Sequence, residues 1–174
     1  MFGVRFDANG QQDSFAFAFG GGFLPGRSGA LAAQADGKSV VAGHDGGSLV
    51  VARFLVDGPA DSAFANAGRL LWSRSAGDNA KGGGLLIQPD QKIVIAGSLN
   101  GTQLVMLRLD SSGALDPGFG VAGVALAGVP GSSFLEVHAL TMTPQGRFLV
   151  LARVGQHPML AQFTATGALD SGFG

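Results

Sequence analysis

The sequence predicts an all-β, propeller-like protein with three four-stranded antiparallel blades and an extra N-terminal strand, an incomplete ring on its own. The first observation behind this prediction is that two motifs recur at intervals of about 54 residues. The second is that each interval contains four short apolar or alternating runs, which are typical of strands, and no apolar stripe of helical period. The third is the abundance of glycine, 30 of 174 residues, which suits a chain with many tight turns.

The first repeated motif is an arginine before a hydrophobic residue, followed by a turn, an aspartate and a phenylalanine. Its arginine position holds Arg5, Arg53, Arg108 and, in an imperfect copy, Gln162. Its aspartate position holds Asp13, Asp61, Asp116 and Asp170, and its phenylalanine position holds Phe15, Phe64, Phe119 and Phe173. The second motif, ALAAQADGKSVVAG at 30–43, returns as GLLIQPDQKIVIAG at 84–97 and more loosely as ALTMTPQGRFLVLA at 139–152. Its starts at 30, 84 and 139 advance by 54 and 55 residues, in step with the first motif.

Each period is predicted to contain four strands, which in the third copy lie at about 121–127, 136–143, 147–153 and 158–164. Asp36-Gly37 and Asn100-Gly101 are two-residue hairpin signals that tolerate positive φ. The strand KIVIAGS at 92–98 is apolar on both faces, as expected where a sheet lies between two others. A β-solenoid is the rival repeat fold, but its coils are shorter and its strands pair between repeats, so the meander favours a propeller.

The whole chain, 1–174, is therefore interpreted as a single repeat array. Its predicted parts are a stray strand and turn (1–16), blades at 17–56, 57–110 and 111–165, and the start of a next repeat (166–174). Closed propellers usually need 4 to 8 blades. We expect the chain to associate with itself, two copies making six blades, or to form part of a longer array.

The two motifs, in fixed order and at fixed spacing, resemble the delta-60 repeat, a bacterial propeller-type module. The resemblance covers nearly the whole chain. Departures are Gln91 for Gly37, Ala152 for Gly43 and Gly97, Gln162 for the arginine, and a first period shortened to 48 residues between Arg5 and Arg53. The family implies an architecture but no reaction, and it supplies no catalytic residues.

Composition excludes several classes of function. Lys and Arg number 11 against 12 Asp and Glu, a net charge of -1, so neither nucleic acid nor an anionic membrane is an expected partner. Charged residues make up only 13%, which indicates that further protein covers part of the surface. There is no cysteine and no apolar run long enough to span a bilayer, and because the start MFGVRFDANG lacks a basic region and an apolar run, we expect no signal peptide. The compartment stays open: the chain is cytoplasmic, or exported as part of a longer bacterial protein.

The repeated aspartates and arginines are predicted to be structural. An aspartate after a glycine turn usually accepts backbone N–H groups, and calcium binding, the alternative, needs several oxygen donors close together. The arginines Arg5, Arg53 and Arg108 suit blade-to-blade ion pairs with these aspartates. The triple glycines at 20–22 and 82–84 are interpreted as turns. No metal, cofactor or catalytic residue is expected.

Two sets of side chains are candidates for chemistry or ligand binding. His138 lies two residues from Glu136 and would share a strand face with it, but no third catalytic partner is evident. Trp72, with Phe23 and Phe134, is a possible ligand-stacking surface for sugars.

The leading hypothesis is a noncatalytic structural or protein-interaction module, and the alternative is a lectin-like propeller. A third, an enzyme with a site in an inter-chain central channel, would need polar side chains that converge on the axis.

Overall fold

The computed structural model describes residues 2–6, 9–18 and 27–173, and every regular element in these ranges is a strand. The strands are β1 (Phe2–Phe6), β2 (Gln12–Ala18), β3 (Arg27–Ala33), β4 (Ser39–Asp45), β5 (Ser48–Phe54), β6 (Arg69–Trp72), β7 (Ala80–Ile87), β8 (Ile93–Leu99), β9 (Gln103–Leu109), β10 (Val124–Gly128), β11 (Leu135–Met142), β12 (Phe148–Val154) and β13 (His157–Phe163). Across the described part of the chain, no helix has the length and apolar character that a membrane span requires.

The strands form four antiparallel sheets, which confirms the all-β, blade-like architecture. Blade 1 has the order β3-β4-β5-β6, blade 2 the order β7-β8-β9-β10, and blade 3 the order β11-β12-β13, while β1 and β2 form a two-stranded sheet. The extra N-terminal strand is therefore not alone, because β2 pairs with it from Ala18 back to Gln12. Blade 3 has three strands in the described residues instead of the four expected.

The outer strand of each full blade comes from the next interval of the sequence. The strand β10 pairs with β9 over five residue pairs, from Val124–Leu107 to Gly128–Gln103. The turn between them is closed by two hydrogen bonds, Asp116 N–H to the Arg108 carbonyl (2.8 Å) and Arg108 N–H to the Gly123 carbonyl (3.0 Å). This turn brings β10 back beside β9. The second and third blades therefore begin one strand later in the sequence than the predicted ranges 57–110 and 111–165. The same displacement leaves blade 3 without an outer strand up to residue 173.

The predicted hairpin turns adopt the left-handed backbone that they require. Asn100 and Gly101 have φ of 54° and 69°, and Gly37 has φ of 83°. Gln91 replaces that glycine in blade 2 and adopts φ of 65°. A non-glycine residue in this region is held there by the surrounding turn at an energetic cost.

Apolar clusters between neighbouring blades form the core. One cluster joins blades 1 and 2, and the other joins blades 2 and 3. All seven residues of β8 are buried, because this strand lies in the middle sheet and faces a blade on each side. This confirms the prediction, made from the apolar segment KIVIAGS at 92–98, that this sheet lies between two others.

The inner strands β3, β7 and β11 approach one another at the axis, and glycine makes the approach possible. A Cβ added to Gly83 would lie 1.9 Å from the Val137 carbonyl oxygen, and one added to Gly84 would lie 2.7 Å from Leu140 Cβ. The glycines 82–84 therefore lie inside β7, and their interpretation as a turn is wrong. Their role is close contact between backbones. The glycines 20–22 lie outside the described residues.

Candidate functional site: the junction between blades and the clefts beside the axis

The repeated arginine is buried at the junction between two blades. Arg53 is 6% exposed and its Nε donates to Asp61 Oδ2 at 2.9 Å. Arg108 makes the same bond to Asp116 at 2.8 Å. Each ion pair joins two segments of one blade, not two blades as expected, because the turn that carries the aspartate returns the chain to its own sheet.

The link from blade to blade is made through backbone carbonyls. Arg53 Nη1 donates to the Ser111 carbonyl, and Arg108 Nη1 donates to the Ala165 carbonyl at 2.9 Å. Beside these bonds, Ala65 N–H donates to the Ser112 carbonyl at 2.7 Å. In blades 1 and 2 the turn after the third strand is thereby fixed to the turn of the next blade.

The repeated phenylalanine completes the junction. The guanidinium carbon of Arg53 lies 4.5 Å from the centre of the Phe64 ring, and that of Arg108 lies 4.8 Å from the Phe119 ring. Phe64 covers Gly113 so closely that a Cβ there would lie 2.8 Å from the ring. The ion pair, the ring and the glycine of the next blade therefore form one packed unit, in which the desolvated guanidinium stacks on the ring.

The aspartates also form the turns in which they lie. Asp61 Oδ1 accepts the Ala63 N–H at 3.1 Å, and Asp116 Oδ1 accepts the Gly118 N–H at 2.9 Å. Burial raises the pKa of Asp61, but the Ala63 hydrogen bond and the Arg53 guanidinium outweigh it, so the pKa lies below its ordinary value. The Gly118 hydrogen bond is the main cause that lowers the pKa of Asp116. Among the described residues, no group of three His, Asp or Glu side chains could hold a metal ion.

A second basic position, which the sequence reasoning missed, also contacts the aspartates. Lys38 Nζ lies 3.6 Å from Asp61 Oδ2, and Lys92 Nζ lies 3.1 Å from Asp116 Oδ2. The sequence does contain a feature that indicates this position, because a basic residue stands at the same place in all three copies of the second motif.

In blade 3 this second basic position holds Arg147, which takes over the ion pair. Arg147 Nη1 binds Asp170 and also lies 3.3 Å from the Gln162 side-chain oxygen. Gln162 stands where the other copies have arginine, so the charge has moved from one repeat position to the other. For the first copy, the side chains of Arg5, Asp13 and Phe15 lie outside the part of the structure that is described.

A cleft of about 200 Å³ lies where the inner strands of the three blades meet, and it contains the histidine-glutamate pair. It is lined by His44, Lys81, Ser98, Glu136 and His138, together with glycines and Val137. Arg153 Nη2 donates to Glu136 Oε2 at 2.8 Å, and this bond is the main cause that lowers the pKa of Glu136. Glu136 is thereby held as a carboxylate in an ion pair, which makes it a poor general acid.

The aromatic residues proposed for sugar stacking have different surroundings. Trp72 is half-buried and packs against the cluster between blades 1 and 2. Phe134 is 44% exposed, and the Arg153 guanidinium lies 4.8 Å from its ring centre. Phe23 lies outside the described residues. A second cleft, of about 160 Å³, is lined by Phe134 with Asn79, Lys81, Asn100 and Ser133.

Blades built from four-stranded meanders, linked by repeated junctions around an axis, define a segment of a β-propeller. A family model described as a domain of unknown function (DUF5122) beta-propeller matches residues 34–64 and 88–119. Each match runs from the end of the first strand of a blade to the phenylalanine of the junction. No curated protein matches the chain.

Proposed function

We propose that this chain is a noncatalytic structural or protein-interaction module of a β-propeller, which completes its ring by self-association or as part of a longer array of repeats. We also assign its repeats to the bacterial delta-60 type, on the strength of the two motifs that recur in fixed order. The role is that of a scaffold, and its function arises where blades associate or at the loops of the rim.

The junction between blades is the observation that supports this proposal. The residue types that repeat most regularly, arginine, aspartate and phenylalanine, are used to join one blade to the next. In blades 1 and 2 they contact each other and backbone carbonyls, and the arginines and phenylalanines are at most 9% exposed. Within residues 2–6, 9–18 and 27–173, three blades and a two-stranded sheet are fewer than a closed ring needs, which favours a second copy or a longer array as the source of further blades.

The test is the native mass of the purified chain, measured by sedimentation velocity and light scattering at micromolar concentration. Self-association predicts a discrete dimer or a larger closed assembly. A stable, soluble monomer across the whole concentration range would contradict the self-association form of the proposal. A monomer that becomes a closed ring only when further repeats are fused to it would support the array form.

Carbohydrate binding is a second candidate, and the cleft beside Phe134 favours it. An exposed aromatic face next to amide and hydroxyl groups is the combination that sugars require, since the ring stacks on apolar C–H groups while polar groups bind hydroxyls. A glycan array with wild type and Phe134→Ala tests it, with Trp72→Phe as the control because Trp72 packs on the core. Binding that Phe134→Ala abolishes and Trp72→Phe retains would support this candidate. An array without binders would remove it.

A further inference from the structure

Blades 1 and 2 each present one apolar face to the blade that follows, and the same sequence positions form both faces. In blade 1 these positions are Ala42 on the second strand, Val51 on the third, and Phe64 after it. In blade 2 they are Ala96, Met106 and Phe119. All six residues have no exposed surface. We call this the forward face of a blade.

The forward face of blade 3 is apolar and uncovered. Its residues at the equivalent positions are Leu151, Leu160 and Phe173, which are 42%, 52% and 37% exposed. Exposing three large apolar side chains on one side of a blade is costly, and such a patch usually marks a surface that another protein covers. Because the equivalent residues of blades 1 and 2 are covered by a neighbouring blade, the same kind of neighbour suits blade 3.

The sequence of β1 supplies the complementary positions. In blade 2, the third-strand residues Val105, Leu107 and Leu109 belong to the cluster that covers the forward face of blade 1. Counted from the repeated arginine, the corresponding residues of β1 are Phe2, Val4 and Phe6, all of them apolar. The two-stranded sheet β1-β2 therefore carries the repeat pattern of a blade that follows a forward face.

We propose that the forward face of blade 3, formed by Leu151, Leu160 and Phe173, docks the β1-β2 sheet of a second copy of this chain, head to tail. This inference rests on the proposed function and names the surface through which self-association occurs. Each copy carries both surfaces of the contact. Two copies related by a twofold axis therefore form the contact twice, and the assembly closes into a ring. Leu151 is larger than the alanines at its equivalent positions, so this contact differs in packing from those within the chain.

The test compares matched charge substitutions by sedimentation velocity over a dilution series. Leu151→Asp and Leu160→Asp should each raise the dimer dissociation constant at least about tenfold, because a carboxylate would be buried without a partner. Leu126→Asp is the control: Leu126 has the same 42% exposure but lies on β10, between alanines that face blade 3. It should dimerise like wild type. Circular dichroism and melting temperature establish that each variant is folded.

Complementation tests the head-to-tail partner. Val4→Asp should weaken association as Leu151→Asp does, because each substitution damages one side of the same contact. Mixing the two variants leaves one intact contact between them, so a heterodimer should form that neither variant forms as a homodimer. Failure to form it, although both single variants disrupt the dimer, would overturn the assignment of the β1-β2 sheet.

The outcomes separate this inference from the proposal on which it rests. A wild-type dimer that Leu151→Asp and Leu160→Asp leave unchanged would overturn the docking surface and retain self-association. A wild-type monomer would overturn the docking surface and the self-association form of the proposal. A wild-type dimer weakened by both variants and not by Leu126→Asp would support both.

Discussion

Replacing Arg53 with methionine tests the energetic importance of the junction. The substitution keeps much of the side-chain length but removes the hydrogen bond to Asp61 (2.9 Å), the bond to the Ser111 carbonyl and the contact with the Phe64 ring. Asp61 is only 5% exposed, so its carboxylate would lose its main partner in a buried place. Breaking a buried ion pair by removing one partner costs about 3–5 kcal/mol.

Lys38 reduces this cost. Its ammonium already lies 3.6 Å from Asp61 Oδ2 and can move closer when the guanidinium is absent. We therefore expect the lower end of the range, about 3 kcal/mol, which for a domain of this size lowers the melting temperature by about 6–12 °C. Thermal melts followed by circular dichroism measure the change.

Arg74→Met is the matched control, because the side chain of Arg74 is 46% exposed and its Nε lies 3.8 Å from Asp78 Oδ2. Exposed ion pairs contribute about 0–1 kcal/mol, so this variant should melt within about 4 °C of wild type. If Arg53→Met melts as close to wild type as Arg74→Met does, the junction does not hold the blades together.

Three further predictions concern the backbone and the aspartates. Gly83→Ala should strongly destabilise or unfold the chain in a urea melt, because the added Cβ would lie 1.9 Å from the Val137 carbonyl oxygen. The control, Gly128→Ala, should be nearly neutral, because no atom lies within 4 Å of its added Cβ. Because the folded-state pKa of Asp61 lies below the ordinary 3.8, its contribution to stability is present above pH 3.8 and is lost as the pH falls through the folded pKa. Melting temperature should therefore fall in this acid range, and less steeply in Asp61→Asn; parallel curves would contradict the assignment. Gln91→Gly should stabilise the fold by about 0.5–1 kcal/mol, because Gln91 has φ of 65°, and a lower urea midpoint would count against this strain.

The junction changes from blade to blade in a way that keeps its charge balance. In blades 1 and 2 an arginine from the third strand and a lysine from the turn before the second strand share one aspartate. In blade 3 the third strand has Gln162, and Arg147 on the turn before the second strand binds Asp170 alone. The aspartate keeps a cation, but the guanidinium that would reach across to a following blade is missing. A blade that docks on blade 3 would therefore depend more on apolar contact than the blades within the chain do.

Much of the fold could be predicted from the sequence because it depends on local patterns. The interval of about 54 residues, the strands and the hairpins at Gly37 and Asn100-Gly101 follow from side-chain periodicity and from the few residues that tolerate positive φ. The burial of β8 on both faces also follows, because a run with no polar alternation has no face suited to water.

The assignment of strands to sheets was decided by the tertiary structure. The boundaries of the repeat can be placed at any point in the sequence. The pairing of β10 with β9 and the hydrogen bonds around Arg108 and Asp116 show that β10 returns to its own blade. The carbonyl that each arginine reaches, and the contact that requires Gly83, likewise join segments far apart in the chain. Local residue patterns show which side chains each repeat contains, but the packing of one blade on the next determines which of these side chains contact one another.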